Sequence, residues 1–245
     1  MTKLSVNVNK VATLRNTRSL EIPSLVKLSC LALDAGAAGI TVHPRPDQRH
    51  IRPSDVTELA ELLKSYPEAE YNIEGNPFHG LVEHCERVRP QQATLVPDAR
   101  EAFTSNHGWN LVEMEPASRA ALARSVADLK ALGCRVSLFL DPVAEMMPIA
   151  RDLGASRVEL YTEPYAAAAA AGRAAESIAV YGRAAAAARA AGLGVNAGHD
   201  LSLDNLGAFV KGAGPIDEVS IGHALIADAL ELGMAETVRR YLALC

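Results

Sequence analysis

The fold class this sequence predicts is α/β, a closed (β/α)8 barrel of the TIM type, and three observations predict it. Short β-rich runs alternate with longer helical runs from one end of the 245 residues to the other. The runs recur about every 30 residues, the size of one βα unit. Each apolar run also stops at polar or ionisable residues. Eight strands in strict alternation with helices favour a closed barrel, because open doubly wound sheets usually hold about five or six.

The strands are expected at 4–8 (LSVNV), 39–43 (GITVH), 70–74 (EYNIE), 93–96 (ATLV), 135–140 (RVSLFL), 157–161 (RVELY), 194–198 (GVNAG) and 218–221 (EVSI). Most read as apolar runs without alternation, the pattern of strands covered on both faces. Helices are expected from about Pro23 to Ala35 before Gly36, after Ser54 with Asp55 in the first turn, and from about Ser118 to Leu132 before Gly133. An Ala-rich helix over 175–191 ends at Gly192, and its small side chains suit tight packing; the last helix covers 224–243. No Pro/Gly/Ser linker interrupts the pattern, so 1–245 is expected to form one domain. The segment 97–115 (PDAREAFTSNHGWNLVEME) is too long for a plain βα loop, and long loops at this face are often functional.

Composition narrows the function. Hydrophobic residues make up 49% of the chain and aromatics only 4%, so an aliphatic core is expected, barrel interior included. The net charge of −5 and the lack of a basic stripe argue against nucleic acid. Phosphate recognition then needs a local basic patch or backbone N–H groups. Cys30, Cys85, Cys134 and Cys245 have no metal-ligand or redox spacing and read as free, mostly buried thiols. The opening MTKLSVNVNK enters a strand directly and does not resemble a signal peptide, and no apolar run reaches membrane-spanning length. The expected location is the cytoplasm, with no membrane partner.

In this fold the chemistry lies at the C-terminal ends of the strands. There the sequence places Asn7, Asn9 and Lys10; His43, Pro44 and Arg45; Asn72 and Glu74; Asp98; Asp141; Glu159, Thr162 and Glu163; Asn196, Gly198, His199 and Asp200; and Gly222 with His223. A scaffold needs no such ring of polar groups. Glu74 follows an apolar Ile in a strand expected to be buried, and a carboxylate there is costly unless paired or functional. His43 reads either as a strand cap or, with Arg45 two residues on, as part of a site. Asp98 and Asp141 read equally as helix N-caps. Arg15, Asn16 and Arg18 lie in a loop that is either solvated or a phosphate grip. His79, His84 and His107 show no partner and receive no role.

NAGHD and SIGHA each set a glycine before a histidine. Glycine admits a ligand close to the backbone, and barrels often bind phosphate after strands 7 and 8. A second phosphate fits Arg45 and His50, within reach of Thr104. Two cationic centres imply two phosphorylated substrates or one bisphosphate. Alternatives stay open on these residues alone. Two histidines and a glutamate at strand ends could also ligate a divalent metal, as in an aldolase or isomerase. A non-catalytic metabolite sensor would need the cations but not the acid–base set.

The segments VNVNKVATLRNTR, GITVHPRPDQRHI, YNIEGNP, TLVPD, RVSLFLDP, RVELYTEPYA, GLGVNAGHDLSLDN and EVSIGHALI, in this order, resemble the pyridoxine 5′-phosphate synthase (PdxJ) family over nearly the whole chain. The resemblance implies a (β/α)8 barrel with additional short helices, assembled as a homo-octamer of dimers. It implies condensation of 3-amino-2-oxopropyl phosphate with 1-deoxy-D-xylulose 5-phosphate to pyridoxine 5′-phosphate, inorganic phosphate and water, in vitamin B6 biosynthesis, without metal or organic cofactor. By motif, His43 and Glu74 would be proton acceptors and His199 the proton donor, and Glu159 would stabilise a transition state or orient the substrate amine. Asn7, Arg18, position 200, Gly222 and His223 would bind the aminoketone phosphate; Arg45, His50 and Thr104 would bind the ketose phosphate. The chain departs from the common pattern at two places. Asn9-Lys10 replaces Asp-His, with Lys10 expected to contact the ketose. Asp200 replaces a frequent glycine and is expected to offer its backbone N–H, its side chain turned away or capping the next helix.

Overall fold

Eight parallel strands pair in chain order and the last closes on the first, β1 to β8. They are β1 (Lys3–Asn7), β2 (Gly39–Val42), β3 (Glu70–Gly75), β4 (Gln92–Leu95), β5 (Arg135–Leu140), β6 (Arg157–Leu160), β7 (Gly194–His199) and β8 (Glu218–Ile221). This computed structural model describes residues 1–102 and 104–245. Among them the helices are α1 (Asn9–Asn16), α2 (Leu25–Asp34), α3 (Pro53–Leu63), α4 (Leu81–Val88), α5 (Pro116–Ala131), α6 (Met146–Asp152), α7 (Glu163–Ala170), α8 (Ala174–Ala190), α9 (Leu206–Gly212), α10 (His223–Leu232) and α11 (Met234–Leu242). The barrel is therefore as expected, and helices beyond one per strand accompany it.

The expected helices are present, with local differences. Ser24 caps α2 by accepting the Lys27 N–H at 3.2 Å. Asp55 accepts the Arg52 N–H at 2.7 Å, so α3 starts at Pro53, a little before the expected point. The expected final helix is two: Gly233 sits at φ 78°, ψ 149°, outside the helical region, and splits α10 from α11. The Ala-rich α8 buries Tyr181, Ala184, Ala185 and Ala188 as a single face. Cys85 and Cys134 are buried free thiols, whereas Cys30 and Cys245 are only half-buried.

The expectation of an aliphatic barrel interior is wrong. Strand residues alternate: Leu4, Val6, Ile40, Val42, Ile73 and Val136 join the apolar core, and the intervening positions are polar. Gln92 on β4 donates to Glu218 Oε1 on β8 at 3.3 Å, and Asn196 on β7 donates to Gln92 Oε1 at 3.4 Å. These strands are not neighbours in the sheet, so the bonds run across the lumen. Arg135 reaches Glu70 and Gln92, and Arg157 donates to Asn196 Oδ1 at 2.8 Å. One level higher, Ser5 and Thr41 share a hydrogen bond of 2.7 Å, and Thr94 donates to Asn72 Oδ1 at 3.1 Å. Most of these buried polar groups are tolerated because they bond one another, whereas Ser137 Oγ and Ser220 Oγ have no partner among the described residues. The aliphatic core instead fills the layer between strands and helices. No helix among the described residues is long and apolar enough to cross a membrane.

Candidate active site

The expected acid–base residues meet at the mouth formed by the C-terminal strand ends. Asn7, the last residue of β1, donates from Nδ2 to Glu74 Oε2 at 3.5 Å. His43, just past β2, places Nδ1 4.0 Å from the same oxygen. The His43 backbone N–H donates to Asn9 Oδ1 at 2.9 Å, so Asn9 fixes the end of β2 by its side chain. His199, the last residue of β7, holds Nε2 3.2 Å from Thr104 Oγ1, and its ring centroid lies 6.0 Å from that of Tyr161. Glu159 is 4% exposed, and its Oε2 has no protein partner among the described residues.

Burial sets the charges. It holds Glu74 up to about 8, and the positive His199 and Arg45 only partly offset it. Burial, then the nearby Glu74 and Glu218, raises Glu159 well above the carboxylate range. Burial, then Arg45, lowers His43 well below its ordinary value. His199 goes the other way: burial disfavours its charge, but the bond and charge of Asp200, with Glu74 and Asp98, outweigh this and raise it. The mouth thus pairs protonated carboxyls with one neutral and one readily protonated imidazole, a set suited to moving protons near neutrality.

The side of the mouth that carries His50 and Arg45 is equally ordered. His50 is lowered to about 4 by burial and by Arg45, Lys10 and Arg49, so it is a neutral imidazole at pH 7. Its Nδ1 accepts the Ile51 N–H at 2.9 Å, which leaves Nε2 as the donor. Its ring centroid is 6.5 Å from that of His43. Arg45 is 6% exposed, bonded to Asp98 and donating to the Ala102 carbonyl at 2.8 Å. Gly222 caps α10, and a Cβ there would meet Asn7 at 3.2 Å. Lys10, Arg18 and His223 are exposed, Lys10 near enough for its charge to act on His50.

Several expectations are corrected. Asp98 is no helix cap; it pairs with Arg45 and accepts from Ser105 Oγ at 2.7 Å. Asp141 is no cap either, and accepts the Gly108 N–H at 3.2 Å. With Trp109 Nε1 donating to the Leu95 carbonyl at 2.9 Å, this bond ties the far end of the 97–115 segment to β4 and β5. Residue 103 of that segment lies outside the described residues. Arg15 and Asn16 are not a phosphate grip: Arg15 pairs with Asp55, and Asn16 Nδ2 donates to the His50 carbonyl at 2.7 Å. The Asp200 N–H goes to the Gly198 carbonyl at 2.9 Å and to Thr162 Oγ1 at 3.4 Å, while its carboxylate turns to His199. Position 200 therefore has its backbone donor engaged within the protein.

Sequence reasoning placed Asn9 and Asp98 at this mouth without their partners, and missed Ser105 and Tyr161. Asp98 had a signal, since it follows an apolar run just as Glu74 does. Gly198 is required by close approach, because a Cβ there would lie 2.2 Å from the Ser220 carbonyl. Gly198→Ala is expected to cost about 1–3 kcal/mol by forcing β7 from β8. Thermal or urea unfolding checks this, and an unchanged midpoint would show that the sheet yields freely.

A family model described as "Pyridoxal phosphate biosynthesis protein PdxJ" matches residues 4–245. The chain belongs to the PdxJ family. A family relative from Albidiferax ferrireducens, named pyridoxine 5′-phosphate synthase, is 53% identical, covering 98% of this chain and 96% of the relative. Another PdxJ relative, from Porphyromonas gingivalis and of the same name, is 49% identical with 98% of both chains covered. Among solved structures, phosphoribosyl anthranilate isomerase from Thermus thermophilus superposes with TM-score 0.57 at 14% identity, covering 99% of this chain and 98% of that one. The 3-keto-L-gulonate-6-phosphate decarboxylase of Vibrio cholerae gives TM-score 0.62 at 11% identity, with 99% and 96% covered. At these identities the two structures share the barrel fold with this PdxJ-family chain.

Proposed function

We propose that this chain is a pyridoxine 5′-phosphate synthase, joining 3-amino-2-oxopropyl phosphate to 1-deoxy-D-xylulose 5-phosphate. The observation that carries the reading is the convergence of His43, Glu74 and His199 on one mouth, beside Arg45 and His50. Binding alone needs cations, whereas this set also moves protons.

The amine of one substrate attacks the ketone of the other, so no Schiff-base lysine is needed. Elimination of phosphate, loss of water and carbon–carbon ring closure follow, and each step moves protons on and off carbon and oxygen. A cationic amine beside Glu74 stabilises its carboxylate and so converts a carboxyl held near 8 into a base. His43, held neutral by burial, is the second acceptor; His199, held readily protonated, is the donor. Glu159 orients the amine. The neutral His50 donates from Nε2 to the ketose phosphate, with Arg45 and Thr104 alongside and Lys10 lending its charge. The aminoketone phosphate sits at Gly222 and His223 on the N-terminus of α10, with Asn7 and Arg18 completing that end. The segment carrying Thr104 shields the intermediates from water. The reading further includes a transferase-type chemistry without metal or organic cofactor, a homo-octamer of dimers and a cytoplasmic location.

Incubating the protein with both phosphates is expected to release pyridoxine 5′-phosphate and inorganic phosphate together, unaffected by a chelator. No product at neutral pH would overturn the assignment. Loss of product formation with chelator would show that the reaction needs a metal ion.

A further inference from the structure

We infer that Asp200 is a positioning residue for His199: its carboxylate grips the imidazole at Nδ1 and presents Nε2 to the mouth of the barrel. Asp200 Oδ2 lies 2.5 Å from His199 Nδ1. On the other side of the ring, Nε2 is 3.2 Å from Thr104 Oγ1. Carboxylate, imidazole and hydroxyl thus form one line from the end of β7 to the 97–115 segment.

The grip is itself held. The Asp200 N–H donates to the Gly198 carbonyl at 2.9 Å, and Asn205 Nδ2 donates to the Asp200 carbonyl at 3.3 Å. His199 adopts φ 64°, a left-handed backbone uncommon outside glycine. With both backbone groups of residue 200 anchored, its side chain lies across the ring edge facing away from Thr104.

A carboxylate at Nδ1 does two things. It keeps the proton there in the neutral ring, leaving Nε2 as the atom that gains and gives a proton, and it stabilises the imidazolium. Other groups also face His199. Glu74 on β3 and Asp98 after β4 favour its charge, and the positive form of His43 after β2 opposes it. Tyr161 after β6 supplies a ring edge. Asp200 differs from the other two carboxyls in touching the ring.

The inference rests on the reading of His199 as proton donor, and the experiment separates the two. The full chain, with ring-labelled histidine and His199→Gln for assignment, is titrated by nuclear magnetic resonance as wild type, Asp200→Asn and Asp200→Gly. In parallel, kcat/KM is followed against pH. In wild type the neutral ring is expected to keep its proton on Nδ1. Both substitutions are expected to lower the His199 titration by about one pH unit or more, with the alkaline limb of kcat/KM moving down equally. An unchanged titration in both variants, with the fold intact by circular dichroism, would overturn the inference. A lowered titration with an unmoved rate profile would uphold the grip and refute the donor role of His199.

Discussion

Replacing Glu74 with glutamine is expected to lower kcat by about 10²–10⁴-fold, the range of a lost general acid–base group. The side chain keeps its size and its neighbour Asn7 but can no longer ionise. The same substitution is expected to leave its mark on stability, with a sign that follows from burial. Glu74 is raised from its ordinary 4.5 to about 8. The folded chain therefore holds a proton that the unfolded chain gives up first. Stability from this group is complete below about pH 4.5 and is lost as pH rises through 8. Glu159 and Glu218, also raised chiefly by burial, act in the same direction. Below about pH 6.5 the lowered His43 and His50 act in the opposite direction, so wild-type Tm should decline from about pH 6.5 to pH 9, and the decline should be shallower in Glu74→Gln. A variant with near-normal kcat, or one whose Tm falls as steeply as wild type, would contradict this account.

Arg15→Ala is expected to destabilise the protein by about 3–5 kcal/mol, the cost of stranding a buried charge. Arg15 and Asp55 are each 4% exposed at the side chain and meet at 2.5 Å and 2.8 Å through two nitrogens. Asp55 also accepts the Arg52 N–H that opens α3, and Arg15 Nη2 donates to the His50 carbonyl at 3.2 Å. One ion pair thus ties α1, α3 and the loop carrying His50. Chemical denaturation measures the loss, and the double substitution Arg15→Met/Asp55→Leu should recover most of it, because a well-packed apolar pair avoids the stranded charge. In the assay, KM for the ketose phosphate should rise more than kcat falls, since His50 binds rather than reacts. A loss below about 1 kcal/mol would show that solvent reaches the pair.

The barrel was legible in the sequence because eight β-rich runs of even spacing leave few other topologies. His43, Glu74 and His199 were legible for a related reason: strand ends converge in a barrel, so residues far apart in the chain become neighbours. Partnerships were not legible. Asp98 and Asp55 both precede helical or turn segments, and nothing local distinguishes a cap from the mate of an arginine 53 or 40 residues away. The polarity of the lumen was present in the alternation of SVN, TV, NIE and RVEL, but the assumption that barrel strands are apolar on both faces hid it. Gly233 escaped notice because a glycine inside a helical pattern reads as tolerated, and its φ of 78° is a tertiary outcome.

The hydrogen-bonded lumen also bears on how the strands find their partners. In a greasy barrel, slipping a strand by one residue exchanges one apolar side chain for another at modest cost. Here the same slip would drive Arg135 or Glu218 into the oily layer beneath the helices and point Val136 or Val219 at a cluster of amides and carboxylates. Misregistered barrels are therefore penalised twice, so the wet centre acts as a proofreading element for strand alignment during assembly.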